Sequence, residues 1–274
     1  MRTTAMLTLA LIAANLQAVE LNPKVLSLIG ENARAVYGGN LARYRQTAWN
    51  TIAPWRLDQA VSGSVQQLVV IANDDAETTP LTIMIGSAAA SEQGDGLQFV
   101  SLDSATSVLG DEAGTREAVR RWSEDSGMGE LARKAQKLGE PYDNWFLIVR
   151  PLELLGRSSI APPSHFAAEL MQMVEEASGG IRVGAFSEIH AKVLMKTADD
   201  AATLAGLVRW LPGLIQLKEP RGLQSRMIEL AENVSIRAEG RLATISFVIS
   251  ERKLEDMFKV LTEEADRLNA LDGR

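Results

Sequence analysis

The chain has 274 residues, 46% of them hydrophobic, and a net charge of −7 with a pI near 5.1. Length and composition are typical of a packed globular protein of one large or two ordinary domains. The acidic balance provides no basic surface for nucleic acid, and the lack of cysteine excludes disulfides, thiolate nucleophiles and zinc–thiolate sites.

The N-terminus has the layout of a secretory signal. Arg2 supplies a positive charge, residues 5–14 are apolar, and Ala18 ends a short segment of small and polar residues. The apolar run of about ten residues is too short to span a bilayer, which requires about twenty. We therefore expect a signal peptide at residues 1–18, cleavage near Ala18 and no integral membrane span; the alternative is an ordinary N-terminal helix.

An exported protein that has no cysteine is more typical of a bacterial cell envelope than of an animal extracellular space. A domain of this size can bury enough apolar surface to fold without disulfides. The expected location is therefore periplasmic or extracellular.

Short apolar runs between turn residues predict hairpins in the first half of the chain. The predicted strands are residues 33–39, 65–73, 81–87, 97–102, 105–110 and 144–152. The predicted helices are residues 40–55, 114–122 and 128–139.

A linker is predicted at residues 157–163, within the stretch that contains Pro162-Pro163. A helix should follow at residues 165–178, and then two strands at residues 181–187 and 189–196 on either side of Glu188. A capping box at Thr197 should begin the next helix, which Pro212 should end or kink. The remaining predicted elements are a helix at 221–232, strands at 233–238 and 242–250, and a helix with an apolar stripe at 254–268.

Two stretches of the chain have the same order of elements. Residues 97–122 and 181–210 each predict strand, strand and helix, and the helices carry Trp122 and Trp210 at matching positions. A strand–strand–helix unit cannot bury its sheet face alone, so both tryptophans are expected in the interior.

The predicted fold is therefore α+β. It consists of two tandem related modules, residues 19–156 and 164–274, each a mostly antiparallel sheet with helices packed on one face.

Four segments carry a resemblance to a known family: residues 33–45 (ARAVYGGNLARYR), 97–122 (LQFVSLDSATSVLGDEAGTREAVRRW), 142–152 (YDNWFLIVRPL) and 234–257 (VSIRAEGRLATISFVISERKLEDM). With these segments the chain resembles a family of secreted bacterial proteins built from a duplicated α+β module and without a known activity. The resemblance implies export and this fold, and it implies no catalytic residue.

Few residues are suited to catalysis or metal binding. The chain has two histidines, His165 and His190, and contains no G-x-S-x-G, HExxH or P-loop motif. Asp74, Asp75 and Glu77 form an acidic loop without the ligand spacing of a calcium loop. No catalytic, cofactor-binding or metal-ligating residue is therefore assigned, and no cofactor is expected.

The sequence favours a non-catalytic exported protein with a protein-binding, ligand-binding or structural role, and its expected partner is a protein of the cell envelope. The alternative is a hydrolase that uses carboxylates in a cleft between the two modules. A deep pocket holding carboxyl groups with strongly raised pKa values would favour the hydrolase. An apolar pocket would favour a small-ligand carrier, and a flat apolar patch would favour a protein partner.

Overall fold

The structure is a computed structural model that describes residues 21–44, 65–74, 79–86, 96–124, 126–151, 165–216, 233–254, 256 and 259. The predicted signal peptide, the linker, the helix at residues 221–232 and most of the C-terminal helix lie outside the described residues. The same is true of residues 45–55 of the first predicted helix.

Ten strands of the described chain form one antiparallel sheet. They are β1 (Ala33–Asn40), β2 (Val65–Asn73), β3 (Leu81–Gly86), β4 (Gln98–Ser101), β5 (Thr106–Gly110), β6 (Asn144–Val149), β7 (Val174–Arg182), β8 (Phe186–Met195), β9 (Ser235–Glu239) and β10 (Leu242–Ser250). The order across the sheet is β4-β5-β3-β2-β1-β6-β7-β8-β10-β9. All neighbouring strands are antiparallel. The prediction of a mainly antiparallel α+β fold is confirmed.

Six helices are described beside the sheet. They are α1 (Pro23–Leu26), α2 (Leu41–Tyr44), α3 (Glu112–Glu124), α4 (Glu130–Gly139), α5 (His165–Gln172) and α6 (Ala198–Gln216). The chain turns helical again at residues 251–254, where the C-terminal helix was predicted. Among the described residues, no helix has the length and apolar character needed to cross a membrane.

The two predicted modules contribute strands to the same sheet. β6, from the first module, pairs with β7, from the second, over the register from Asn144↔Ile181 to Val149↔Glu176. The sheet is therefore continuous across the predicted boundary. The origin of the two halves by duplication stays a prediction.

Helix α4 covers one face of the sheet at its centre. Trp145 of β6 lies opposite Gly180 of β7, which lies opposite His190 of β8. Residues paired in this way point to the same face. Trp145 belongs to a core cluster with Ala132 and Ala135 of α4, so α4 packs on this face.

Helix α6 covers the opposite face over the C-terminal strands. It contacts β8, β9 and β10. On this face of β8 and β10, four residues are buried: Ser187, Met195, Ala243 and Ile249. The α4 face of these strands exposes Phe186 and Val248, at 69% and 54%. We call it the open face; it is formed by Phe186, Glu188, His190, Lys192 and Val248.

Glycines allow aromatic rings to cross the centre of the sheet. Trp145 lies between Gly38 of β1 and Gly180 of β7 in the register. A Cβ atom at Gly38 would lie 2.2 Å from indole carbons of Trp145, and one at Gly180 would lie 2.4 Å from Tyr142. The close approach of the rings to the backbone requires glycine at both positions.

The N-terminal core was missed from the sequence. Asn22 Oδ1 accepts a hydrogen bond from Lys24 N at 2.9 Å, and Pro23 occupies the first turn of α1. The apolar residues around this short helix are buried: Leu21, Val25, Leu26, Leu28 and Ile29. The Asn-Pro start signal was present in the sequence.

Two predictions of element type and boundary are wrong. Residues 174–178, predicted as the end of a helix, belong to strand β7. Glu188, predicted as a turn residue, pairs with Arg182 and Val248 inside the sheet. In both places pairing with two neighbouring strands outweighs local sequence preference.

The interior placement of Trp210 is also wrong. Trp122 is partly buried against the core, with Lys24 Nζ 4.3 Å from its ring centre, whereas Trp210 is 72% exposed. Helix α6 continues through Pro212 and buries Ala201 and Ala205. At about 100° per residue, Trp210 points about 180° away from Ala201 and therefore faces solvent.

Candidate functional site

A cavity of about 500 Å³ opens where β6, α5, β7 and β8 meet. We call it the junction pocket. Its lining residues are Val149, Arg150, Met171, Gln172, Val174, Glu175, Glu176, Leu194 and Lys196. Its size is within the range of about 300–1,000 Å³ that small-molecule sites occupy. Because β6 comes from the first predicted module and the other elements come from the second, the pocket lies between the two modules.

The pocket lies beside α4 on one face of the sheet. Val149 lies opposite Glu176, which lies opposite Leu194. These three residues therefore point to the face that α4 covers over β6. Lys134 of α4 reaches Glu176 at the border of the pocket. Met171 and Gln172 of α5 also line the pocket.

Arg150, which lines the pocket, has an unusual backbone conformation. It follows β6 with a φ of +51°, in the left-handed region that costs an L-residue about 1–2 kcal/mol. Its amide donates a hydrogen bond to Glu175 O at 2.8 Å, which ties the end of β6 to the beginning of β7. Such conformations persist where the surrounding structure enforces them, and they are frequent at binding sites.

Both carboxylates of the pocket are engaged by cations from outside its lining. Glu176 Oε2 accepts a hydrogen bond from Lys134 Nζ at 2.7 Å, and this bond raises the pKa of Lys134. Glu175 pairs with Arg241, whose Nε donates to Met195 O at 2.9 Å. Each carboxylate of the lining therefore has a cation beside it, and one of these cations, Lys134, is shared with Glu130 at 3.2 Å.

Lys196 places a further positive charge at the pocket. Its amide donates a hydrogen bond to Met173 O at 2.8 Å, which fixes the end of β8 beside the end of α5. Its ammonium group makes no ion pair within the part of the chain that the structure describes. The remaining walls are mainly apolar and consist of Val149, Met171, Val174 and Leu194.

A polar cluster on the open face contains His190. Arg182 pairs with Glu188 at 3.0 Å, and His190 Nε2 lies 3.8 Å from the same carboxylate. Ser246 lies opposite His190 in the register, but the described contacts include no hydrogen bond between them. The rings of His190 and Tyr142 are 6.1 Å apart, and burial raises the pKa of Tyr142. This cluster matches a surface ion-pair network better than a nucleophile with its base.

The other candidate polar residues from the sequence are His165 and the acidic loop at residues 74–77. His165 begins α5. Asp74 pairs with Arg34 at 2.7 Å, while Asp75 and Glu77 lie outside the described residues. Among the residues that the structure describes, no group of three or more histidine or carboxylate side chains is arranged to hold a metal ion.

A buried ion pair connects the elements at the centre of the sheet. Asp143 accepts hydrogen bonds from Arg43 and from Val183 N, each at 2.7 Å. Its side chain is only 2% exposed. The sequence contains no signal that distinguishes this aspartate from the many exposed acids. Its partners indicate a structural role, since they join α2, β6 and the β7–β8 turn.

Comparison with known proteins finds a solved structure with a similar fold. No family model matches the chain, and no curated protein matches it. A solved structure, crystal form I of TP0453, superposes with a TM-score of 0.50 and 11% sequence identity. The match covers 89% of this chain and 98% of that chain. At this level of identity the similarity shows a shared α+β fold and carries no functional information.

Proposed function

We propose that the chain is a non-catalytic binding protein, exported to the bacterial periplasm or cell surface, which holds a small ligand in the junction pocket. The observation that carries the proposal is the pocket itself. It has the volume of a small-molecule site, apolar side chains on several walls and charged groups at fixed positions.

The position of the core supports export with cleavage near Ala18. Leu21 is 7% exposed and packs in the main core cluster. A chain that begins at Val19 would therefore keep every described core residue. The resemblance to secreted bacterial proteins with a duplicated α+β module supports the same location.

The hydrolase alternative would place its carboxylates in the same pocket, at Glu175 and Glu176. Each of these groups accepts a charged hydrogen bond from a cation, which occupies oxygens that a general acid or base would need. Among the described residues, hydrogen bonds lower the pKa of the carboxyl groups of Asp103 and Glu117. These observations favour binding over hydrolysis. The protein partner in the cell envelope stays a prediction from the sequence.

Fractionation of the native cells tests location and binding together. The protein is recovered from the envelope fraction, its N-terminus is sequenced, and the small molecules released on denaturation are identified. We expect a start at Val19 and one released compound class. That class should be depleted in a Leu194→Trp variant, whose larger side chain fills the pocket. Recovery from the cytosol with Met1 retained would contradict export, and equal release from both proteins would contradict the pocket as the binding site.

A further inference from the structure

We propose that the junction pocket selects an organic anion with an apolar body, such as a carboxylate, sulfonate or phosphate monoester on a hydrocarbon or aromatic group. This inference rests on the proposed function, because it names the chemical class of the ligand for the same pocket. It follows from the charged side chains around the pocket, the backbone conformation of Arg150 and the apolar residues of the lining.

The charges around the pocket favour an anion. The lining contains two cations, Arg150 and Lys196, and two carboxylates. Lys134 and Arg241 bind those carboxylates from outside the lining. Lys134 Nζ also lies 3.2 Å from Glu130 Oε1, so four cations and three acids surround the pocket, and the ammonium group of Lys196 makes no ion pair within the described part of the chain. An anion entering beside Lys196 gains an attraction that a neutral or cationic molecule does not.

The backbone of Arg150 supports the same assignment. A left-handed conformation at a residue with a long side chain carries a cost that glycine would avoid. Arginine at this position places a residue with a planar guanidinium in the pocket lining, and this group is well suited to the oxygens of carboxylates, sulfonates and phosphates. Arg150 and Lys196 both line the cavity, on the strand ends of β6 and β8.

The walls indicate that the anion carries an apolar group. Val149, Met171, Val174 and Leu194 line the cavity together with the charged residues. Free inorganic phosphate would leave these side chains in contact with water, whereas a hydrocarbon or aromatic body would cover them. Methionine adapts to ligands of different shape, so Met171 allows a range of bodies.

The experiment uses two fluorescent probes with the same apolar body. 8-Anilinonaphthalene-1-sulfonate carries a sulfonate, and N-phenyl-1-naphthylamine carries no charge. The affinity of each probe is measured for the full chain and for Lys196→Glu, Arg150→Gly and Leu194→Trp. Lys192→Glu is the matched control, because it makes the same charge change on β8 at an exposed residue about 13 Å away along the strand. Circular dichroism establishes that each variant is folded.

The expected result is selective loss of the anionic probe. Lys196→Glu should weaken the sulfonate probe about tenfold and change the neutral probe less than twofold. Arg150→Gly should act in the same direction, and Lys192→Glu should leave both affinities within about twofold. Leu194→Trp should remove both probes. An excess of inorganic phosphate should displace the sulfonate probe poorly, because it lacks the apolar body.

The contrary results separate the two proposals. If Leu194→Trp removes both probes but Lys196→Glu affects them equally or not at all, the pocket binds ligands without selecting anions, and the present inference is overturned. Displacement by phosphate alone at low concentration would overturn the requirement for an apolar body. If neither probe responds to Leu194→Trp, the pocket is not the binding site, and the proposed function fails together with this inference.

Discussion

The contact between Gly38 and Trp145 provides a strong test of how β1 and β6 pack at the centre of the sheet. Trp145 is 3% exposed, and a Cβ atom at residue 38 would lie 2.2 Å from two of its ring carbons. Neither group has room to move, because residue 38 belongs to a central strand and the indole is packed under α4. We expect Gly38→Ala to lower the free energy of unfolding by about 3 kcal/mol, the upper end for overpacking a core.

A double-mutant cycle isolates this contact. Trp145→Ala alone should cost about 3–5 kcal/mol, as truncation of a buried tryptophan does. In that background the ring is gone, so Gly38→Ala should be neutral or should stabilise by up to about 1 kcal/mol, because alanine suits a strand better than glycine. The predicted coupling is therefore about 3 kcal/mol.

Urea denaturation followed by circular dichroism measures all four proteins. Gly206→Ala on α6 is the control, since a Cβ atom there would meet nothing within 4 Å. It should leave stability unchanged or raise it by up to about 1 kcal/mol. Equal costs of Gly38→Ala with and without Trp145 would refute the close packing of the Trp145 ring on residue 38.

Three further predictions concern stability. Asp143→Ala should lower the free energy of unfolding by about 3 kcal/mol in urea denaturation, because it leaves Arg43 and a buried amide without their acceptor; a loss below about 1 kcal/mol would contradict this role. Arg150→Gly should keep or raise stability by up to about 1 kcal/mol, since glycine relieves the left-handed strain, and a clear loss would argue against strain. Hydrogen bonds from the Ala105 amide, and then from Thr106, lower the pKa of Asp103. Its stabilisation should therefore be present above the unfolded pKa of about 3.9 and disappear as pH falls through the lower folded value. The melting temperature of wild type should exceed that of Asp103→Asn at pH 7, and the difference should shrink at pH 3; a difference independent of pH would contradict the assignment.

Local patterns in the sequence predict the individual strands well. The runs at residues 65–73 and 81–87 alternate or cluster apolar residues around a polar loop, and they form the β2–β3 hairpin. The hairpin at residues 97–110 and the helices that follow it also agree with the structure. Each of these elements depends mainly on neighbours within about 20 residues of sequence.

Features that depend on long-range strand pairing could not be predicted from local sequence patterns. Residues 174–178 contain two glutamates and an alanine, a composition that favours helix, yet pairing with β6 and β8 makes them a strand. The change of covered face between α4 and α6 follows from packing across the whole sheet. The junction pocket is lined by residues from β6, α5, β7 and β8, which are distant in the sequence, so no local motif marks Arg150 or Lys196 in advance.

The most direct test of the central claim is a map of amide chemical-shift changes on addition of 8-anilinonaphthalene-1-sulfonate. The account predicts saturable changes at Arg150, Glu175 and Lys196, around the junction pocket. Changes confined to Phe186 and Val248, which are 69% and 54% exposed on the open face, would show ordinary apolar adsorption at another surface and would contradict the claim.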